Sequence, residues 1–161
     1  MRRWLVRLGK TAIGAWLVAG AAFFLDPAPL GLPVAGLRRS AVRSSFGAPR
    51  DGGRRRHEGV DLFARRGSKV VAAAPGLVVW RGTTKRGGRV VYTLGRRGAL
   101  LYYAHLDGFA PDIGPGDLVA RGAPLGTVGD SGNARGTQPH LHFEARPLAL
   151  ALVAVDPVSL F

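Results

Sequence analysis

The sequence predicts an all-β domain, an antiparallel barrel or sandwich, preceded by one N-terminal hydrophobic helix. Three observations carry this. From Ser40 onward, short β-prone runs follow one another without a break in pattern. Glycine and proline turn signals separate them: Pro75-Gly76, Gly87-Gly88, Gly95 to Gly98, Pro115-Gly116-Asp117 and Asp130-Ser131-Gly132-Asn133. No amphipathic stretch at helical period follows the first 25 residues.

The elements follow in chain order. Arg2, Arg3, Arg7 and Lys10 precede an apolar run from Thr11 to Leu25. A basic end before a short apolar run is the layout of a signal peptide or a signal-anchor, so residues 1–25 are expected to export the rest of the chain. Residues 26–40 are rich in proline, glycine and small side chains and read as a linker leaving the membrane. The domain is then 41–161. Its expected strands are Val70–Ala74, Leu77–Arg81, Arg89–Thr93, Leu100–His105, Leu118–Ala120, Pro124–Val128 and His140–Ala145.

The formal net charge is +13, and the chain contains only two glutamates, Glu58 and Glu144. Such a balance favours a polyanionic partner: nucleic acid, anionic lipid or an acidic wall polymer. There is no cysteine. Disulfides, thiol nucleophiles, iron–sulfur clusters and cysteine-held zinc are thereby excluded, and any metal site must use His, Asp or Glu.

The chain has four histidines, and each lies in a segment able to present it for chemistry. His57 precedes Asp61 by four residues across Gly59 and Val60, which argue against helix. On an extended, lightly curved backbone the two side chains share a face. His140 and His142 alternate with Leu141 and Phe143. On a strand the two imidazoles share one face, ~6.6 Å apart along the chain, with Leu141 and Phe143 turned to the core. His105 ends the β-prone run from Leu100. Each segment alone also suits an ordinary surface or half-buried histidine. Together, His57, Asp61 and His142 can supply three ligands to one zinc ion and leave a fourth place open, as a catalytic site requires. His105 and His140 then remain as acid/base and oxyanion-stabilising groups.

From about Ser44 to Pro157 the chain resembles the lysostaphin-like (LytM-type) zinc endopeptidases. The resemblance lies in Ser45-Phe46-Gly47 with Arg50, in His57-Glu58-Gly59-Val60-Asp61-Leu62, in Tyr103-Ala104-His105-Leu106, and in Pro139-His140-Leu141-His142-Phe143-Glu144. It extends through the segments Gly67–Gly76, Gly116–Gly122 and Gly126–Gly129 to Asp156-Pro157. The resemblance implies one Zn2+ held by His57, Asp61 and His142, with His140 as general base and His105 as stabiliser of the tetrahedral intermediate. It implies a groove across an antiparallel sheet that accepts the peptide stems and cross-bridges of bacterial peptidoglycan, in the periplasm or cell envelope. The basic stretch Arg54-Arg55-Arg56 departs from the family pattern and alters the expected rim of that groove.

Other readings compete with a hydrolase. A catalytically silent activator of a wall amidase, or a peptidoglycan-binding module, would share the fold without turnover. A biotinyl or lipoyl carrier needs a lysine at an exposed hairpin tip, usually beside methionine, and the one methionine here is Met1. A nucleic-acid binder rests on charge alone and lacks a clustered aromatic–basic motif, so no nucleic acid is expected as partner.

Overall fold

In the computed structural model, which describes residues 28–95, 98–147 and 153–161, every expected run from Val70 onward forms a strand. Among the described residues ten strands follow in chain order: β1 (Pro49–Arg50), β2 (Arg55–Arg56), β3 (Val60–Phe63), β4 (Lys69–Val71), β5 (Gly76–Thr84), β6 (Gly88–Gly95), β7 (Ala99–Phe109), β8 (Leu118–Val119), β9 (Pro124–Val128) and β10 (His140–Pro147). All pairings are antiparallel. The main sheet runs β3-β10-β7-β6-β5-β8, and β9 joins both β4 and the far end of β7. The described residues contain no α-helix. The chain is therefore the antiparallel all-β domain that turn spacing and β-prone runs predict. The expected leader helix, residues 1–25, lies outside the described residues. Among the described residues no helix is long and apolar enough to cross a membrane.

Period-2 alternation builds the core. On β10, Leu141, Phe143 and Ala145 are fully buried, and on β7 Leu101 and Tyr103 face them. Phe143 packs against Tyr103 and Phe161, with ring centroids 5.2 and 5.9 Å away. Val70 of β4 and Leu125 and Val128 of β9 belong to the same cluster. The Tyr103 hydroxyl accepts from Ala73 N at 3.0 Å, and burial pushes its pKa up to about 12.

Within the 26–40 segment Leu30 and Val34 pack on the domain, and one strand expectation changes. Leu30 and Val34 are 4% and 2% exposed, Val34 bridges Val70, and Val71 N donates to Pro33 O at 2.9 Å. The strand expected over Val70–Ala74 stops at Val71. Beyond it, Ala72 N turns to Ala123 O and Ala73 N to the Tyr103 hydroxyl, so those donors leave the ladder.

Candidate metal centre

Register places the site. On β10, His142 sits opposite Asp61 of β3 on one side and Ala104 of β7 on the other. His57 comes from the loop ahead of β3. Its backbone is tied on both sides to the segment before β1: His57 N donates to Ala48 O and Gly47 N to His57 O, each at 2.8 Å. Gly59 makes the approach possible. A Cβ there would lie 2.3 Å from Phe143 O and 3.0 Å from His142 Cε1, closer than any side chain tolerates.

The three groups converge on one point. His57 Nε2 lies 2.9 Å from His142 Nδ1 and 3.1 Å from Asp61 Oδ1, and His142 Nδ1 lies 3.0 Å from that same oxygen. Acceptors on the far side of each ring suit a proton there, and Arg50 Nη2 also lies 3.0 Å from His57 Nδ1. His57 Nδ1 donates to Ser45 O at 2.9 Å, and His142 Nε2 donates to Glu144 Oε1 at 2.9 Å. Arg50 Nη2 occupies the other oxygen, Asp61 Oδ2, at 2.7 Å. With both rings neutral and their protons on the far side, His57 Nε2, His142 Nδ1 and Asp61 Oδ1 face one another as bare donor atoms; a proton entering the cluster is shared with Asp61.

That arrangement fits a divalent cation. Ligands about 2.0–2.2 Å from a tetrahedral ion are separated by roughly 3.3 Å, close to the spacings present. The donor set, two imidazoles and a carboxylate, is one that zinc accepts. Among the described residues these three form a group able to hold a metal ion.

The field has the same sign. Burial disfavours the His142 cation, but its hydrogen bonds to Asp61 and Glu144 outweigh burial and raise its pKa. Burial likewise works to raise Asp61, and hydrogen bonds from His142 and His57 overcome it and hold the carboxyl far below the usual range. A site that attracts a proton so strongly attracts a metal cation by the same electrostatics.

His105 and His140 stand beside this centre. Their rings are 5.0 Å apart, and His140 Nε2 is 3.9 Å from Asp61 Oδ1. His140 arrives on the ligand face by simple alternation. His105 does not: alternation from Ala104 would send it into the core. Between the pairs Arg89–Leu106 and Val91–Tyr103, β7 carries one residue more than β6, and His105 takes a left-handed φ of 63°. This bulge swings the ring back to the site. Its Nδ1 donates to Ser131 O at 2.8 Å, and His140 Nδ1 donates to Gln138 O at 2.8 Å. Both Nε2 atoms are left bare. Burial, followed by the neighbouring imidazoles, lowers the His105 pKa to about 4, so the ring is neutral at pH 7.

All these groups line an open groove of about 670 Å³. Its floor includes Tyr102 and Tyr92, with Phe63 at the rim against His140. Arg55, of the basic stretch, pairs with Asp51 at the groove's edge. Three supporting residues carry no role in the sequence reading: Ser45, Arg50 and Glu144.

The sequence pattern of Peptidase family M23 matches residues 55–157. The chain belongs to that family. An L-Ala–D-Glu endopeptidase of Bacillus subtilis is 39% identical over 109 residues, covering 64% of this chain and 33% of that protein. The M23 chain thus spans about a third of the length of that curated relative. The catalytic domain of the antimicrobial peptidase lysostaphin from Staphylococcus simulans superposes with a TM-score of 0.62 at 28% identity, over 73% of this chain and 89% of that one. A zinc-containing peptidase from Vibrio cholerae gives a TM-score of 0.65 at 27% identity, over 81% and 39%.

Proposed function

We propose that this M23 chain is a zinc-dependent endopeptidase that hydrolyses peptide cross-links in bacterial peptidoglycan. The observation that carries the reading is the convergence of three bare donor atoms, within about 3 Å of one another, beside two further histidines in one groove. The names of the Bacillus and Staphylococcus relatives support the choice of a peptidase, the former one that cuts an L-Ala–D-Glu bond, and the Vibrio structure supports zinc.

In this reading His57 Nε2, Asp61 Oδ1 and His142 Nδ1 hold the ion, which supplies Lewis-acid polarisation of the scissile carbonyl and lowers the pKa of a water. His140, with its proton fixed on Nδ1, offers Nε2 to take up the proton of the attacking water. His105 begins as an equally bare acceptor. It would become a donor to the developing oxyanion on receiving at Nε2 the proton that His140 removes from the attacking water. Arg50 holds Asp61 so that one oxygen alone faces the ion. Tyr102 and Phe63 shape the groove for an extended peptide.

Residues 1–25 act as signal peptide or signal-anchor and place the 41–161 peptidase domain outside the cytoplasm, in the periplasm or cell envelope. Residues 26–40 join the two, with Leu30 and Val34 packed on the domain.

Purified protein incubated with isolated peptidoglycan, with and without a zinc chelator, tests this. Mass spectrometry of the products is expected to find new amino and carboxyl termini within the stem peptides, lost on chelation and regained with zinc. Zinc uptake without new termini, together with stimulation of a wall amidase, would replace the hydrolase by the silent activator.

A further inference from the structure

The two glutamates of this chain meet on one arginine. Arg146 Nε donates to Glu144 Oε2 at 2.7 Å, and Arg146 Nη2 donates to Glu58 Oε2 at 2.5 Å. The other oxygen of Glu144 accepts from His142 Nε2. Glu58 is the residue after His57. The guanidinium therefore ties together, from behind, the two segments that carry the imidazole donors, which are 85 residues apart in sequence.

We infer that Glu144, Arg146 and Glu58 form a positioning clamp that fixes the tautomer of His142 and holds the two donor-bearing segments in the arrangement a divalent cation needs. The inference rests on the metal-centre reading above and adds three residues to it. Glu144 is 8% exposed, and its two oxygens have separate tasks. Oε1 fixes the His142 proton on Nε2 and so leaves Nδ1 bare for the ion. Oε2 is held by Arg146, so the carboxylate cannot rotate away. Without Glu144 the His142 proton is free to move to Nδ1, the atom that must be bare. Arg146 also sets the local charge. Asp61, Glu144 and Glu58 oppose Arg50 and Arg146, and the one net negative charge left suits a dication better than three uncompensated carboxylates would. Glu58 is half exposed and acts on the centre only through Arg146. Its share is the smallest of the three.

Zinc affinity of the full-length chain, measured by competition with a chromophoric chelator, tests the clamp. The visible spectrum of the cobalt-loaded protein reports the donor set independently. Glu144→Ala is expected to weaken zinc roughly 10–100-fold, the usual effect of losing such a partner, and to alter the cobalt spectrum. Glu144→Gln, whose amide oxygen still accepts from Nε2–H, is expected to restore most of the affinity. Arg146→Met should weaken zinc about tenfold. Glu58→Gln should cost a few-fold alone and nothing further in the Arg146→Met background, because both act through one guanidinium. Melting temperatures of the zinc-free variants separate lost positioning from lost folding, and the isosteric Glu144→Gln keeps the test open if the alanine variant unfolds.

Wild type that binds zinc beside a Glu144→Ala variant of equal affinity overturns the clamp alone. Additive effects of Glu58→Gln and Arg146→Met overturn the shared guanidinium. Wild type that takes up no zinc overturns the clamp and the metal centre together. Clamp-dependent zinc binding in a protein that cuts no peptidoglycan supports the clamp and removes only the hydrolase.

Discussion

Acidifying the metal-free protein isolates one histidine. Burial holds His105 at a pKa of about 4, against about 6.5 in an unfolded chain. The unfolded state therefore takes up this proton first as pH falls. Stability contributed by a neutral, buried His105 is complete above pH 6.5 and drains away between 6.5 and 4. Between pH 7 and 4.5 the loss comes to about 2 kcal/mol at 1.36 kcal/mol per pKa unit. His142 acts in the opposite sense: its raised pKa contributes stability present at low pH and lost as pH rises. Asp61, held low, again loses its contribution in acid. A substitution separates His105 from the rest. Asparagine tolerates the left-handed φ of 63° that most side chains resist, so His105→Asn preserves the bulge and removes the titration. Urea unfolding of both proteins at pH 7 and pH 4.5 should find wild type losing about 2 kcal/mol more than the variant. Equal losses would mean that His105 is not buried neutral, and the argument from its bare Nε2 would fall with it.

His142→Ala is expected to abolish zinc uptake and wall hydrolysis together, read by metal analysis and by release of soluble peptide. His140→Ala should retain zinc, since the donor atoms stay, while turnover falls about 10²–10⁴-fold with the loss of proton transfer; loss of metal in that variant would exchange the two roles. Phe143→Ala, at a fully buried position between Tyr103 and Phe161, should cost about 3–5 kcal/mol of unfolding free energy, measured by denaturant titration.

The parts of the site governed by alternation were legible before the fold. His140 and His142 share a face because residues two apart on a strand do so, and Leu141 and Phe143 had to fill the core. The β-prone runs from Val70 onward were equally plain. Short pieces and irregular ones were not. β3 is four residues long and begins beside a glycine whose reason is contact with β10. Nothing within residues 57–63 announces that contact. His105 reaches the site by an extra residue in β7 and a positive φ, and strict periodicity misplaces it. Leu30 and Val34 were hidden by the prolines around them, although such extended backbone readily joins a neighbouring strand, as Pro33 O does with Val71 N. Glu144 had a usable signal: an acid two residues beyond His142, on the same strand face, in a chain with one other glutamate.

A chain carrying +13 is an unlikely home for a cation until its charges are mapped. Among the described residues the arginines lie mostly in exposed positions, where salt screens them beyond about 8 Å at physiological ionic strength. The acids are fewer, and three of them gather at the site. Asp61 contacts both imidazole donors directly, Glu144 contacts His142, and Glu58 joins them through Arg146. Only Asp61 touches the proposed ion, and it does so from a half-dry groove where a single charge acts at short range with little screening. Two fields of opposite sign therefore coexist because they act over different distances. In the proposed reading the long-range basic field would draw the protein to an anionic polymer and weaken steeply with salt, whereas the short-range acidic one would fix the ion and not weaken. Zinc affinity should thus stay nearly constant between low and physiological salt while adhesion to isolated peptidoglycan falls, and parallel salt dependence of the two would merge what the geometry separates.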